Sequence, residues 1–156
     1  MTFRDSRFKG KVAIVSGGAD GMGAACVNQL SAEGAKVAIL DIKIDLAKAI
    51  SAKLQGNGAS VEAFEVDVTN ETALRDALDS AIKCFGTVDT LINVAGGSAS
   101  GLVAENDMGV YDKLYSLNFR STVIACQCVI PVMRKNNSGS IVNMSSISGL
   151  RGDPDW

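Results

Sequence analysis

The chain has 156 residues, 47% hydrophobic and 21% charged, with 15 Lys and Arg against 17 Asp and Glu. That size fits a single domain, residues 1–156, with a sizeable core, and the slight acidic balance lacks the clustered basic excess that a nucleic-acid surface needs. The apolar runs are too short to span a bilayer, and the polar start MTFRDSRFKGK holds no apolar segment of a secretory signal.

There is no histidine, which removes a His general base, Ser–His catalysis and the commonest zinc ligand together. The four cysteines, Cys26, Cys84, Cys126 and Cys128, form no CxxC pair. They read as reduced, mostly buried thiols of a cytoplasmic protein rather than as disulfides or a metal site. No metal site is expected.

Apolar runs and helical patterns alternate along the chain. Residues 11–16 (KVAIVS) read as a strand buried on both faces, followed by a helix over 23–33 that Gly34 ends. Residues 36–41 (KVAILD) form a second strand, 44–54 a second helix, 55–59 a turn and 60–66 a third strand. Asn70 is an N-cap candidate for a helix over 71–85, and residues 88–94 (VDTLINV) are a fourth strand. A long helix is expected over 108–133, with Pro131 near its end, and a fifth strand over 140–145 (SIVNMS). Continuous Val/Ile/Leu strands separated by helices argue for a parallel sheet covered on both faces. Right-handed crossovers then give a doubly wound α/β sandwich.

The first strand runs into Ser16-Gly17-Gly18-Ala19-Asp20-Gly21-Met22-Gly23 and then a helix. Glycines allow a sharp turn and let backbone amides approach an anion without a Cβ in the way. The helix N-terminus adds free N–H groups and partial positive charge, which suits a pyrophosphate. A tight turn with no ligand would use the same residues, but the strand–turn–helix context and the length of the unit from Lys11 to Asp41 favour a dinucleotide. Asp41, at the end of the second strand, can accept from both hydroxyls of an adenosine ribose and would repel a 2′-phosphate. Ile42 beside it brings no cation, so NAD is expected over NADP, although Lys43 lies close. Asp41 could instead be a solvated strand end or a helix cap.

With those residues in hand, the sequence resembles the short-chain dehydrogenase/reductase family. Gly17-x-x-x-Gly21-x-Gly23 is similar to its glycine motif, with Ser16 where Thr is usual and with Asp20 and Met22 inside the turn. Asp67-Val68 resembles the family's acidic residue beside the adenine, and Asn93-Val94-Ala95-Gly96 its Asn-Asn-Ala-Gly segment, with Val94 replacing the second Asn. Asn118 matches the active-site Asn, and Ser146, in the serine pair after the fifth strand, the catalytic Ser. The resemblance covers residues 8–149. It implies a Rossmann-type sheet in the order 3-2-1-4-5 and a cofactor site of Ser16, Gly17, Asp20, Gly21, Met22, Gly23, Asp41, Ile42, Asp67, Val68, Asn93, Ala95 and Gly96. It also implies NAD-dependent interconversion of a small-molecule alcohol and a carbonyl, with Ser146 on the substrate oxygen, Asn118 helping to hold a water, and a homo-oligomer in the full-length form. Plainer roles stand beside these. Asp67 could cap the next helix, Asn93 could tie loops together, and Ser145 and Ser146 could be turn residues.

The family's Tyr-x-x-x-Lys pair occurs nowhere in the 156 residues. Four residues after Tyr111 and Tyr115 come Tyr115 and Phe119, so both tyrosines read as helix-face packing. A serine hydroxyl alone is a poor acid near neutral pH. The fifth strand would be an exposed sheet edge, and Val123, Ile124, Val129 and Ile130 would lack part of their cover. The chain therefore reads as a C-terminally incomplete Rossmann domain. A non-catalytic dinucleotide-binding module and a site for another adenosine ligand, such as that of a methyltransferase, remain open beside the oxidoreductase.

Overall fold

The computed structural model describes residues 6–152. Part of the polar N-terminal stretch and the last four residues lie outside that range. The elements run in the expected order, and every neighbouring strand pair is parallel. They are β1 (Val12–Ser16), α1 (Gly21–Ala32), β2 (Lys36–Asp41), α2 (Ile44–Gly56), β3 (Val61–Glu65), α3 (Glu71–Phe85), β4 (Thr90–Asn93), α4 (Met108–Tyr115), α5 (Ser121–Lys135) and β5 (Ser140–Asn143). The sheet order is β3-β2-β1-β4-β5, the Rossmann-type order inferred from the sequence.

The apolar runs have a direct cause. All five residues of β1 are buried, because successive side chains feed two different cores. Ala13 and Val15 join Val27, Leu30, Val37, Ile39 and Val61 under α1 and α2. Ile14 joins Leu40, Leu74, Leu78, Leu91, Ile124 and Val129 under α3 and α5. Ile124 and Val129 are thus buried, contrary to the sequence expectation, because α3 covers them. Val123 and Ile130 on the same helix are 39% and 37% exposed. Among the described residues β5 pairs with β4 alone, and Val142 and Met144 at its end are partly exposed. An apolar parallel edge of this kind invites pairing with other chains. The 156-residue polypeptide is therefore expected to self-associate at micromolar concentration. A monodisperse monomer in light scattering would contradict that.

The cysteines are all free, but none is fully buried and Cys84 is exposed. The expected packing of the tyrosines holds only in part: Tyr115 stacks on Phe119 at 5.3 Å between ring centroids, yet is 58% exposed.

Three local features set the geometry of the cleft. Asp20 caps α1 by accepting from the Gly21 N–H, so the helix starts two residues earlier than its apolar pattern suggests. Asn70 caps α3, as its sequence position predicts. The long helix is not uniform: a π turn over Ser116–Arg120 joins α4 to α5. Arg120 in that turn pairs with Glu71 at the start of α3, and Arg75 donates to Gln127 at 2.9 Å, so α3 and the long helix are locked together.

Before β1, Arg7 forms an ion pair with Glu33, whose side chain is fully buried, and Gln29 also donates to it. The Arg7 hydrogen bond is the main cause holding the Glu33 carboxyl below the usual glutamate range, against the opposing effect of burial. A depressed folded-state pKa contributes stability above the unfolded value and loses it as pH falls through the folded one. Glu33→Gln is expected to flatten the acid side of the stability profile below the normal glutamate range. Denaturant unfolding at a series of pH values checks this, and parallel wild-type and variant curves would sink it.

Candidate functional site

The carboxyl ends of β1, β2, β3 and β4 open into a cleft of about 640 Å³, at the switch point where the chain leaves β1 for β2 on one side and β4 lies on the other. Its walls contain Gly17, Asp20 and Gly21 from the glycine turn, Asp41 at the end of β2 with Ile42 and Lys43 after it, and Asp67, Val68 and Thr69 after β3. Ala95 and Gly96 follow β4, and Lys113 and Leu117 reach in from the long helix.

The glycines are required for this arrangement. Gly17 sits at φ 69°, and a Cβ on it would come within 2.7 Å of the Ala95 nitrogen, so the turns after β1 and β4 touch only because Gly17 has no side chain. A Cβ on Gly23 would fall 1.9 Å from the Gly17 carbonyl oxygen, so α1 can start this close to the strand only with glycine there. A Cβ on Gly21 meets nothing within 4 Å: on that side the turn faces open space.

Asp41 is tied into the turn. One carboxylate oxygen accepts from the Ala19 N–H at 2.9 Å, the other from the Lys43 N–H at 2.9 Å, and the side chain is buried. A carboxylate offers about four lone-pair directions, so Asp41 retains capacity for hydroxyl donors on the cleft side. Asp67 does not cap α3 itself. It accepts from the Thr69 hydroxyl at 2.7 Å and the Thr69 N–H at 2.9 Å. These bonds, the hydroxyl first, hold it below the usual aspartate range, with the Lys113 charge a smaller contribution.

Ser16 and Asn93 are absent from the wall because they lie beneath it. Asn93 donates to Asn143 at 2.8 Å and accepts a long 3.5 Å bond from the Ser16 hydroxyl. It ties β1, β4 and β5 together, the loop-tying role that the sequence left open. Gly23 is buried, and Met22 projects outward, 60% exposed. Asn118 lies in the π turn and holds Gly97 with both ends of its amide, accepting from the Gly97 N–H and donating to the Gly97 carbonyl, both at 2.8 Å. Ser146 starts the short 3-10 turn Ile147–Gly149 as its N-cap, accepting from the Ser148 N–H at 3.2 Å. The cleft wall therefore gathers nine of the expected residues, while Asn118 and Ser146 lie outside it.

The sequence reading missed Lys113 and Leu117. Both stand one turn apart on the long helix just before Asn118, and no local pattern sets them apart from the rest of that helix.

A profile of the short chain dehydrogenase family matches residues 11–156. The chain belongs to that family. The 2,5-dichloro-2,5-cyclohexadiene-1,4-diol dehydrogenase LinX of Sphingobium indicum is 34% identical over 145 residues, which cover 93% of this chain and 58% of that protein. The 3-alpha-(or 20-beta)-hydroxysteroid dehydrogenase of Mycobacterium bovis is 37% identical over 146 residues, covering 94% and 55%. Among solved structures, a 7 alpha-hydroxysteroid dehydrogenase complexed with NADH and 7-oxo glycochenodeoxycholic acid superposes with a TM-score of 0.93 at 31% identity, over 99% of this chain and 61% of that one. The chain thus spans less than two thirds of the length of these short-chain dehydrogenases.

The residues present suit a dinucleotide. Within this family's fold they supply a helix N-terminus with a glycine-rich turn, a buried carboxylate with capacity for hydroxyls, and apolar wall residues, Val68, Val94 and Leu117 among them, that suit a flat ring. No group of three or more His, Cys, Asp or Glu residues among the described residues is placed to hold a metal ion. No helix among them is long and apolar enough to cross a membrane.

Proposed function

We propose that the protein is an oxidoreductase interconverting a small-molecule alcohol and a carbonyl, with NAD preferred over NADP. The observation that carries the reading is Asp41, a buried carboxylate held on the cleft wall by the glycine turn itself. When bound, the dinucleotide supplies or accepts the hydride.

This chain's residues do the holding. The start of α1, with Gly17, Gly21 and Gly23, would face the pyrophosphate. Asp41 and Ile42 would take the adenosine ribose, and Asp67 with Val68 the adenine. Ala95 and Gly96 would line the floor that Asn93 braces from below. Ser146 would donate to the substrate oxygen. Asn118, bonded to Gly97 through both ends of its amide, would contribute by fixing the loop after β4. Ser16, Asp20 and Met22 complete the turn.

With no Tyr-x-x-x-Lys in these 156 residues, the polypeptide lacks an efficient proton donor. This 156-residue polypeptide is expected to bind the dinucleotide without turnover. The relatives' names support the alcohol–carbonyl chemistry. The free cysteines fit a cytoplasmic site, and the exposed Tyr115, Phe119 and Ile130 fit a homo-oligomer of the full-length form.

Calorimetric titration of the chain with NADH and NADPH tests the reading. NADH is expected to bind more tightly. Absence of NADH binding would overturn it, and tight S-adenosylmethionine binding in its place would revive the other adenosine-ligand class.

A further inference from the structure

Lys43 Nζ donates to the carboxylate of Asp20 at 3.2 Å. The pair crosses the rim of the cleft between the glycine turn and the end of β2, next to Asp41, and both residues line the wall. Each is more than half exposed, so it contributes little to folding. Its effect is on the charge that a ligand meets.

We infer that Asp20 masks Lys43, and that this masking is what keeps a 2′-phosphorylated adenosine out of the cleft. The inference rests on the dinucleotide reading and deepens it. Lys43 follows Asp41 by two residues, and its own N–H is fixed by the Asp41 carboxylate. That bond holds the base of the side chain beside the position proposed for the ribose. A phosphate on the 2′-hydroxyl needs a cation there. The rim holds one, but its ammonium is paired with Asp20, and with Asp41 also on the wall the charge around the ribose edge sums to minus one. A dianionic phosphate would have to compete with Asp20 for the ammonium while meeting both carboxylates. An unphosphorylated ribose meets no such opposition. On this view Asp41 is the hydroxyl acceptor and Asp20 the gate, and the gate is the more easily removed, because an asparagine keeps the bond from the Gly21 N–H and gives up only the one from Lys43.

The substitution that tests this is Asp20→Asn. Asparagine caps a helix as well as aspartate does, so the bond to the Gly21 N–H and the start of α1 survive while the charge goes. The readout is the ratio of the dissociation constants for NADPH and NADH, by calorimetry on the full 156-residue chain, with Tm as a check on the cap. Asp20→Asn is expected to lower that ratio about tenfold, or ~1.4 kcal/mol, with Tm unchanged and with the gain shrinking at high salt. The double variant Asp20→Asn/Lys43→Ala is expected to lose the gain, which assigns it to the unmasked ammonium. Lys43→Ala alone should not lower the ratio, since it removes the cation and leaves both carboxylates on the rim.

If NADH binds and Asp20→Asn leaves the ratio unchanged, the gate is overturned while the dinucleotide reading stands. A gain that persists in the double variant overturns the masking of Lys43 and leaves only a general charge effect. If neither cofactor binds the wild-type chain, the dinucleotide reading fails and the inference fails with it.

Discussion

Gly23→Ala is expected to weaken dinucleotide binding by roughly a hundredfold, about 2.7 kcal/mol, and to lower Tm. The added methyl would sit 1.9 Å from the Gly17 carbonyl oxygen, well inside contact distance. That oxygen is backbone in a turn already pinned from both sides. The Gly17 N–H donates to the Leu40 carbonyl at 2.8 Å, and the Ala95 N–H donates to Ser16 at 3.0 Å. The turn cannot retreat, so the start of α1 must tilt away, taking its N–H groups from the place where the pyrophosphate would lie. Overpacking of this kind costs about 1–3 kcal/mol in stability. Gly56→Ala is the control, since a Cβ there meets nothing within 4 Å. Calorimetry with NADH and thermal unfolding measure both effects. If Gly23→Ala bound NADH like the wild type, the turn would not be the cofactor cradle.

The second large effect belongs to Asp41. Asp41→Asn is expected to weaken NADH binding by roughly ten- to a hundredfold, the scale of a charge-assisted hydrogen bond of about 1.5–3 kcal/mol, and to leave NADPH unchanged or improved. The structure makes asparagine a better test than alanine. Alanine would also strip the acceptor from the Ala19 N–H and loosen the turn, confusing ribose recognition with loop order. Asparagine keeps one oxygen for that bond, gives up the one from the Lys43 N–H and removes the charge. An unchanged preference between the two cofactors would show that Asp41 is a structural tie only.

Much of this cleft was legible in the sequence because its parts are local. β2 and α3 appear at the bounds their patterns indicate. The apolar run before Asp41 is bounded by Gly34 and a charged end, and Asn70 and Gly86 cap the helix between them. The glycine turn and the carboxylate after β2 lie within one βαβ unit. What escaped was long-range or polar. Nothing in the pattern near Asn93 names Asn143 as its partner, fifty residues on. Lys113 and Leu117 join the cleft from a helix about seventy residues beyond Lys43, where folding, not spacing, sets proximity. The cover that α3 gives Ile124 and Val129 is equally a tertiary fact. The π turn left no mark either, since Ser-Leu-Asn-Phe-Arg has no proline or glycine to announce a change of pitch.

That π turn acts as a phase shifter in the long helix. It inserts one residue's worth of winding, about 100° in an α-helix, between two segments that would otherwise share one face. Upstream, Lys113 points at the cleft, and Leu117 within the turn lies between cleft and core; downstream, Ile124, Ala125 and Val129 point into the core beneath α3. A π turn holds one residue more than the α turn it replaces, so deleting one residue within 116–120 would close it to an α turn and leave both flanks in phase, whereas a deletion inside α5 would rotate the buried stripe beyond it toward solvent. The long helix therefore tolerates a change of length at this one point and nowhere along its buried stripe.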